Sequence, residues 1–176
     1  MVGVDLVAIA RIERLIGKYG VSFLQHFLRK SEISLCIKKV QSGEVGESID
    51  LDAHLKNADI SRFADISHFD ISHFNVERIA GFYAAKEAIS KALRCGISKN
   101  LTFKDIKLSK DSRGAPKAKL SKRAKKHFKV KKIYLSITHD KAQIRGGKGD
   151  KSNKNDLPLS QSPKSTGFAI AIAMIK

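Results

Sequence analysis

The pattern of apolar and polar residues predicts one long helix near the middle of the chain, over residues 75–96. Six apolar residues recur there at helical spacing and are expected to form a buried stripe: Ile79, Phe82, Tyr83, Ile89, Ala92 and Leu93. Asn75 suits the cap of the first turn, because its side chain can accept a free backbone N–H. Gly96 suits the end of the helix. We expect the rest of the fold to be organised around this helix.

Shorter apolar runs on either side predict further helices and strands. Helices are expected over residues 8–19, over 21–28 after Gly20, and from Glu32 onward with Ser31 as the cap. The predicted strands are 2–7, 101–108, 117–120, 133–139 and 168–175. Asp, Ser and Gly between the second and third strands indicate a hairpin turn. The last two strands could pair antiparallel across the long loop between them, and the length is enough for one domain, residues 1–176.

Two segments differ in character from the rest. Residues 41–74 begin as a polar loop and continue as an irregular repeat of Asp-Ile-Ser-(Arg/His)-Phe units, which we interpret as a low-complexity insertion. His68 and His73 could suggest a metal site there, although a repeat that happens to contain histidine explains them better. Residues 141–166 are rich in Lys, Gly, Ser and Asn and are expected to form a flexible basic loop. Its Gly146–Gly149 run lacks the spacing of a phosphate-binding P-loop.

Composition narrows the possible partners. The formal net charge of +17 on 176 residues predicts an anionic partner, but charge alone does not choose between nucleic acid, membrane surface, phosphorylated cofactor and acidic protein. Cys36 and Cys95 have no metal or redox spacing, which favours free thiols in a reducing compartment. No secretory signal is evident, and the apolar run 168–175 is too short to cross a membrane. We therefore expect a cytoplasmic protein.

Candidate chemistry is concentrated on the long helix. Glu87 and Lys91 lie four residues apart and so share one helix face. They could form a solvated ion pair, or they could serve as a carboxylate for a metal and a lysine for a phosphate. Mg²⁺ is usually held by one or two carboxylates together with substrate phosphates. Asp5, in the first predicted strand, could supply a second carboxylate, or it could simply point outward from the strand end.

Four motifs, in order, resemble those of the bacterial holo-[acyl-carrier-protein] synthases, the small phosphopantetheinyl transferases. The resemblance covers nearly the whole chain apart from the two unusual segments. It is most specific in the long helix, where it joins the N-terminal aspartate motif. The motifs are Gly3–Val7 with Ala10–Ile12, Phe82–Ala88 with Lys91–Leu93, Leu101–Ile106 with Gly114–Pro116, and Leu135–His139 with Phe168–Ile175.

The resemblance implies a fold and a reaction. The expected fold is a trimer of α+β subunits, each with an antiparallel sheet packed on a long helix, and with active sites between subunits. The expected reaction moves the 4′-phosphopantetheine arm of coenzyme A to a serine of apo-acyl carrier protein, for fatty acid biosynthesis. It releases 3′,5′-ADP.

The resemblance also implies roles for individual residues. Asp5 and Glu87 would hold Mg²⁺, and Glu87 would also act as the base toward the serine hydroxyl. Lys91 would contact the diphosphate, and His139 would reach the nucleotide end from a neighbouring subunit. Arg11 and Arg14 on the first helix would dock the acidic carrier protein. No membrane or nucleic acid is expected as a partner.

One departure and one rival interpretation remain. The family commonly has arginine just before the Ala-Ala-Lys-Glu-Ala run, where this chain has Phe82-Tyr83, so another cation would have to replace one phosphate contact. The rival is a small basic nucleic-acid-binding protein that uses residues 119–132 and the 141–166 loop. Its support is charge alone, since no helix-turn-helix, zinc finger or aromatic RNA-binding motif is evident. A structural repeat protein based on residues 59–74 has still less support.

Overall fold

A computed structural model describes residues 1–38, 72, 74–142 and 166–176. The described ranges contain helices, strands and a short 3-10 turn, Phe103–Asp105. The elements in chain order are β1 (Val2–Ala8), α1 (Ile9–Phe27), α2 (Lys30–Leu35), α3 (Val76–Ala92), β2 (Ile106–Lys110), β3 (Pro116–Leu120), α4 (Lys122–Phe128), β4 (Ile133–Ala142) and β5 (Thr166–Ile175).

The largest sheet has the strand order β1-β5-β4 and is antiparallel throughout. The predicted pairing of the last two strands is confirmed, and β5 also pairs with β1, which makes it the central strand. Ala169, Ala171 and Ala173 alternate along β5 on the face covered by α3, and each is fully buried. Their small side chains let the helix lie close to the sheet. The predicted class, α+β with an antiparallel sheet packed on a long helix, is confirmed.

The long helix begins where the sequence predicts but ends earlier. The Asn75 side chain accepts the Arg78 N–H at 2.8 Å, as expected of an N-cap. The helix ends at Ala92, four residues before the expected stop at Gly96, and Arg94 and Gly96 both have positive φ in the turn that follows. Of the predicted stripe, only Tyr83 is half-buried and the other five residues are buried.

The opening helices follow the prediction in outline. Gly20 interrupts α1 with φ 56° and ψ −142°, which is the break expected between two helical stretches. The helix α2 begins at Lys30, so Ser31 is inside the helix and the prediction of Ser31 as its cap is wrong. The Arg29 N–H instead donates to the Glu32 carboxylate at 2.6 Å. A glutamate on the third helical residue therefore closes the first turn.

The predicted hairpin is formed by β2 and β3, which pair antiparallel from Ile106 opposite Leu120 to Lys110 opposite Pro116. The Asp111 carboxylate accepts the N–H groups of Arg113 and Ala115, both at 2.9 Å, and so fixes the turn. The strand predicted from residue 101 starts only at Ile106.

The 3-10 turn explains this late start, and Asp105 holds it closed. The Asp105 carboxylate accepts both the N–H of Thr102, at 3.0 Å, and its hydroxyl, at 2.9 Å. These local side-chain bonds compete with strand formation over the same residues.

Several expectations fall on residues outside the described ranges. They include most of the 41–74 insertion with His68 and His73, and the greater part of the 141–166 loop with Gly146–Gly149. Phe74, the last residue of the repeat, is described: it is buried in the core and forms an isolated bridge with Ile37. Cys36 and Cys95 are both free, as expected. None of the described helices has the length and apolarity needed to cross a membrane.

Candidate active site

Asp5 lies in the middle of β1 and faces α3. Residues Gly3, Asp5 and Val7 alternate on that face, and Gly3 lies so close to the helix that a Cβ there would be 2.1 Å from the Ala88 carbonyl oxygen. The Asp5 side chain is only 12% exposed, so it does not point outward from a strand end. The sheet therefore directs this carboxylate toward the helix that contains Glu87.

Glu87 is half-buried on α3, and its environment opposes ionisation. Burial raises the pKa of the Glu87 carboxyl, and the nearby Asp5 carboxylate raises it further. Strand and helix therefore bring the two predicted carboxylates to the same place, although they are 82 residues apart in the sequence.

Lys91 pairs with the strand and not with its helix neighbour. Its ammonium donates to the Asp5 carboxylate at 2.7 Å, and the lysine side chain is 53% exposed. The hydrogen bond to Asp5 raises the pKa of Lys91, and the Glu87 carboxylate adds to this shift. A simple Glu87–Lys91 surface pair is therefore not the arrangement in the structure. The lysine partly neutralises a site that would otherwise contain two carboxylates.

The two arginines of α1 are exposed, and they differ in their relation to this site. Arg11 interacts electrostatically with both Glu87 and Tyr83, so its guanidinium lies near the carboxylates. Arg14 donates from Nε to the carbonyl of Ala10 at 3.4 Å, one turn earlier. Arg11 therefore lies at the edge of the site.

The structure does not bring His139 to the carboxylates within one subunit. His139 lies on β4 opposite Ala169, two residues beyond Ile137, which shares a register row with Asp5 through Ala171. Asp5 and His139 are thus two strands apart and offset by two residues along the strand direction. At the usual strand spacing and rise per residue, this puts them roughly 12 Å apart. His139 is exposed and lies on the same sheet face as Asp5.

The sequence reasoning missed a buried ion pair next to the site. The Lys86 ammonium lies 2.8 Å from the Glu32 carboxylate, and both side chains are fully buried. Burial lowers the pKa of Lys86 to about 8, although Glu32 opposes this shift. The available signal was a lysine within the apolar part of α3 and an acid in the first turn of α2, but nothing in the sequence links residues 54 positions apart.

Tyr83 was predicted as a core residue, but the structure places it on the site's face of α3. It lies one turn before Glu87, and its ring packs on Phe27 and Phe103 with centroid distances of 5.2 Å and 5.5 Å. Burial raises the pKa of the Tyr83 phenol, and the Glu87 and Asp5 carboxylates raise it further. The phenol is therefore neutral and can donate a hydrogen bond.

The described residues contain no group of three or more His, Cys, Asp or Glu side chains suited to hold a metal ion. The carboxylates of Asp5 and Glu87 supply oxygen ligands from two elements, and hard cations such as Mg²⁺ prefer such ligands. A cation held there would need most of its remaining ligands from water or from a bound phosphate compound. The arrangement suits a metal that binds jointly with an anionic substrate.

A family model described as the 4′-phosphopantetheinyl transferase superfamily matches residues 1–145. The chain belongs to this superfamily. Two curated relatives, both named holo-[acyl-carrier-protein] synthase, match it over about four fifths of its length. The relative from Helicobacter pylori strain 26695 is 37% identical over 140 residues, 80% of this chain and 87% of the relative. The relative from Wolinella succinogenes is 39% identical over 141 residues, 80% of this chain and 88% of the relative.

Solved structures of holo-[acyl-carrier-protein] synthases resemble the chain as well. The crystal structure of Helicobacter pylori holo-[acyl-carrier-protein] synthase in complex with coenzyme A has a TM-score of 0.63 and 32% identity, and it covers 100% of both chains. A holo-(acyl-carrier-protein) synthase structure from Bacillus anthracis has a TM-score of 0.54 at 24% identity, covering 99% of this chain and 93% of its own. At that identity it supports the fold alone. The resemblance stated from the four motifs is confirmed.

Proposed function

We propose that this chain transfers the 4′-phosphopantetheine group from coenzyme A to a serine of apo-acyl carrier protein. The products are the holo-carrier used in fatty acid biosynthesis and 3′,5′-ADP. Superfamily membership and two relatives named holo-[acyl-carrier-protein] synthase support the reaction. The observation that carries the proposal is the meeting of Asp5, Glu87 and Lys91 at one position between sheet and helix.

Asp5 and Glu87 fit a Mg²⁺ ion. Burial raises the pKa of Glu87 and the nearby Asp5 carboxylate raises it further, and a divalent cation would relieve the repulsion between the two carboxylates. When bound, Mg²⁺ supplies a charge that neutralises the diphosphate and the phosphate that leaves. The raised pKa also suits Glu87 for taking the proton of the attacking serine hydroxyl.

Lys91 and His139 would bind the two ends of the coenzyme A phosphate region. Lys91 is exposed enough to move from Asp5 to a diphosphate oxygen once a metal neutralises the carboxylate. His139 lies away from Asp5 in its own subunit, so we propose that a neighbouring subunit supplies it at the nucleotide end.

A homotrimer is supported by an exposed apolar face on the large sheet, on the side opposite α3. Seven large apolar side chains on this face are between 42% and 63% exposed, an extent that indicates a protein–protein contact. They are Val2, Val4, Leu6, Tyr134, Phe168, Ile172 and Met174. The register rows Val2–Met174–Tyr134 and Val4–Ile172 make the face continuous across the strands.

Arg11 and Arg14 are the proposed docking residues for the carrier protein. Both are exposed on α1, and Arg11 is close enough to Glu87 to interact with it. An acidic partner held there would bring its serine to the carboxylates. The free thiols and the reaction together support a cytoplasmic location.

The deciding experiment mixes the protein with apo-acyl carrier protein, coenzyme A and Mg²⁺, and weighs the carrier by mass spectrometry. A mass gain equal to one phosphopantetheine group, dependent on both coenzyme A and the metal, is the expected result. An unchanged carrier with a folded sample would reject the proposal. If the chain instead bound nucleic acid with a steep salt dependence and without coenzyme A, the rival interpretation would replace it.

A further inference from the structure

Lys86 directly precedes Glu87 in α3, yet its side chain serves a different part of the molecule. One residue along a helix turns the side chain by about 100°, so Lys86 points away from the face of Glu87. The Lys86 ammonium donates to the Phe27 carbonyl at 2.7 Å, to Glu32 at 2.8 Å and to the Phe103 carbonyl at 3.2 Å. All three of its hydrogens are therefore used.

The Glu32 carboxylate likewise uses both of its oxygens in hydrogen bonds. One carboxylate oxygen accepts the N–H of Leu108 at 2.6 Å, and the other accepts Lys86 and the N–H of Arg29. The pair thus holds backbone groups from the end of α1, the start of α2, the 3-10 turn and β2. These four segments meet at one point behind α3.

Stability alone gives little reason for such a pair. Desolvating two charges offsets most of their attraction, and well-packed apolar residues often replace a buried ion pair without loss. An ion pair does fix the relative orientation of its two partners, since its hydrogen bonds tolerate only a narrow geometry. The question is which element this geometry fixes.

The contacts of Phe27 and Phe103 indicate that this element is α3. Lys86 holds their backbone carbonyls, while their rings pack on Tyr83 and lie 5.9 Å from each other. Tyr83 and Glu87 lie one turn apart on the same face of α3. The same two segments are therefore fastened to α3 at two places, at Lys86 through the backbone and at Tyr83 through the rings.

We propose that the Glu32–Lys86 pair is a positioning device that fixes the rotation of α3, so that Glu87 faces Asp5. This inference rests on the function proposed above. A rotation of about ten degrees would move a carboxylate about 6 Å from the helix axis by about 1 Å. Mg²⁺ tolerates little departure from its octahedral geometry, so such a shift weakens its site. Asp5 would not follow, because β1 is held in the sheet by its pairing with β5.

The test compares Lys86→Met, Glu32→Gln and the double variant with the wild-type protein. Thermal unfolding reports stability, and the paramagnetic resonance of Mn²⁺ reports metal binding without any reaction. The single variants should lose stability, because each leaves a buried group unpaired. The double variant should regain most of the unfolding temperature, but bind Mn²⁺ at least tenfold more weakly and show a kcat at least thirtyfold lower.

A second acid–base pair provides the matched control. Asp105 and Arg123 form an ion pair at the same 3-10 turn, with the arginine side chain 57% exposed. The double variant Asp105→Asn/Arg123→Met should lower the unfolding temperature and leave Mn²⁺ affinity within twofold of wild type. A folded Glu32→Gln/Lys86→Met protein with wild-type Mn²⁺ affinity and kcat would overturn the proposal.

Three further outcomes are decisive. If the double variant does not fold, Glu32→Asp keeps the charge but shortens the side chain, so the hydrogen-bond geometry at Lys86 changes. Several-fold weaker Mn²⁺ binding by this variant supports the proposal, and wild-type binding overturns it. If the wild-type protein binds Mn²⁺ but modifies no carrier, the proposed function fails while the positioning test still stands. If the wild-type protein binds no Mn²⁺ even with coenzyme A present, both proposals are overturned.

Discussion

The Lys91 ammonium lies 2.7 Å from the Asp5 carboxylate, and this contact joins the central helix to the first strand across the candidate site. The lysine occupies the side of Asp5 where a metal would bind. Asp5 is almost buried, while Lys91 is half exposed and free to leave. We propose that this lysine partly neutralises the site in the absence of substrate and then moves to a substrate phosphate.

We predict from this contact that Lys91→Met separates substrate binding from metal binding. Loss of the point charge on the diphosphate should raise the KM for coenzyme A about tenfold. Metal affinity in the absence of coenzyme A should stay the same or increase, since a competing cation has gone. Steady-state kinetics and Mn²⁺ titration measure the two effects. Weaker metal binding by Lys91→Met would show that the lysine supports the metal site.

Glu87→Gln should leave the fold intact and lower transfer more than a hundredfold, because the variant loses a metal ligand and the base together. Its stability should depend on pH in a defined direction. Folding raises the pKa of Glu87 above its ordinary value of 4.5, so the folded state holds the proton more tightly than the unfolded state. That group's contribution is fully present below pH 4.5 and is lost as the pH rises through the folded pKa.

The variant has no titrating group at this position, so its stability relative to wild type should increase as the pH rises above 4.5. Urea unfolding at a series of pH values measures this difference. A variant that becomes relatively less stable as the pH rises would contradict the raised pKa. Full transfer activity would contradict the assigned roles.

The site shows which features a sequence can predict. Asn75 and Asp111 act through bonds to residues two to four positions away, so local pattern suffices to find the helix start and the hairpin. The residues alone left open whether Asp5 joins Glu87 or points outward, and only the resemblance to a family favoured the first alternative. Their meeting depends on Gly3 admitting the helix, a contact between segments 85 residues apart.

The Glu32–Lys86 pair marks the limit of this reasoning. Helix geometry makes Lys86 and Glu87 face different directions, but the sequence does not show that Lys86 is buried or which acid it meets. The 3-10 turn before β2 was missed for a related reason. Alternation favours a strand over residues 101–108, while the bonds from Thr102 to Asp105 favour a turn.

Gly3→Ala should lower the free energy of unfolding by about 2–3 kcal/mol, a typical cost for overpacking. The added Cβ would meet the backbone of Ala88 and Ala92, which cannot rotate away. It should also reduce transfer, since β1 and Asp5 would shift from α3. Gly17→Ala is the control: nothing lies within 4 Å, and replacing a helical glycine should stabilise by about 0.5–1 kcal/mol. Equal stabilities for the two variants would refute the close contact.

Ile172→Glu should convert the proposed trimer to monomers. Ile172 is 47% exposed at the centre of the apolar sheet face, between Val4 and Ser136. A carboxylate buried there between subunits would be left unpaired. Light scattering after gel filtration measures the mass, and transfer should fall with it if His139 acts across subunits. Lys107→Glu, on an exposed position of the small sheet, should leave the mass unchanged. A trimer in both variants would exclude this face as the interface.

Arg11→Ala should raise the KM for the carrier protein at least fivefold and the KM for coenzyme A less than twofold. Arg11 is exposed at the edge of the site, where a cation would act mainly on the approach and orientation of an acidic partner. The effect should shrink with added salt, because screening weakens contacts between exposed charges. Lys18→Ala, at an exposed position later in α1, is the matched control and should change neither constant. An equal rise in both KM values for Arg11→Ala would instead assign the arginine to coenzyme A.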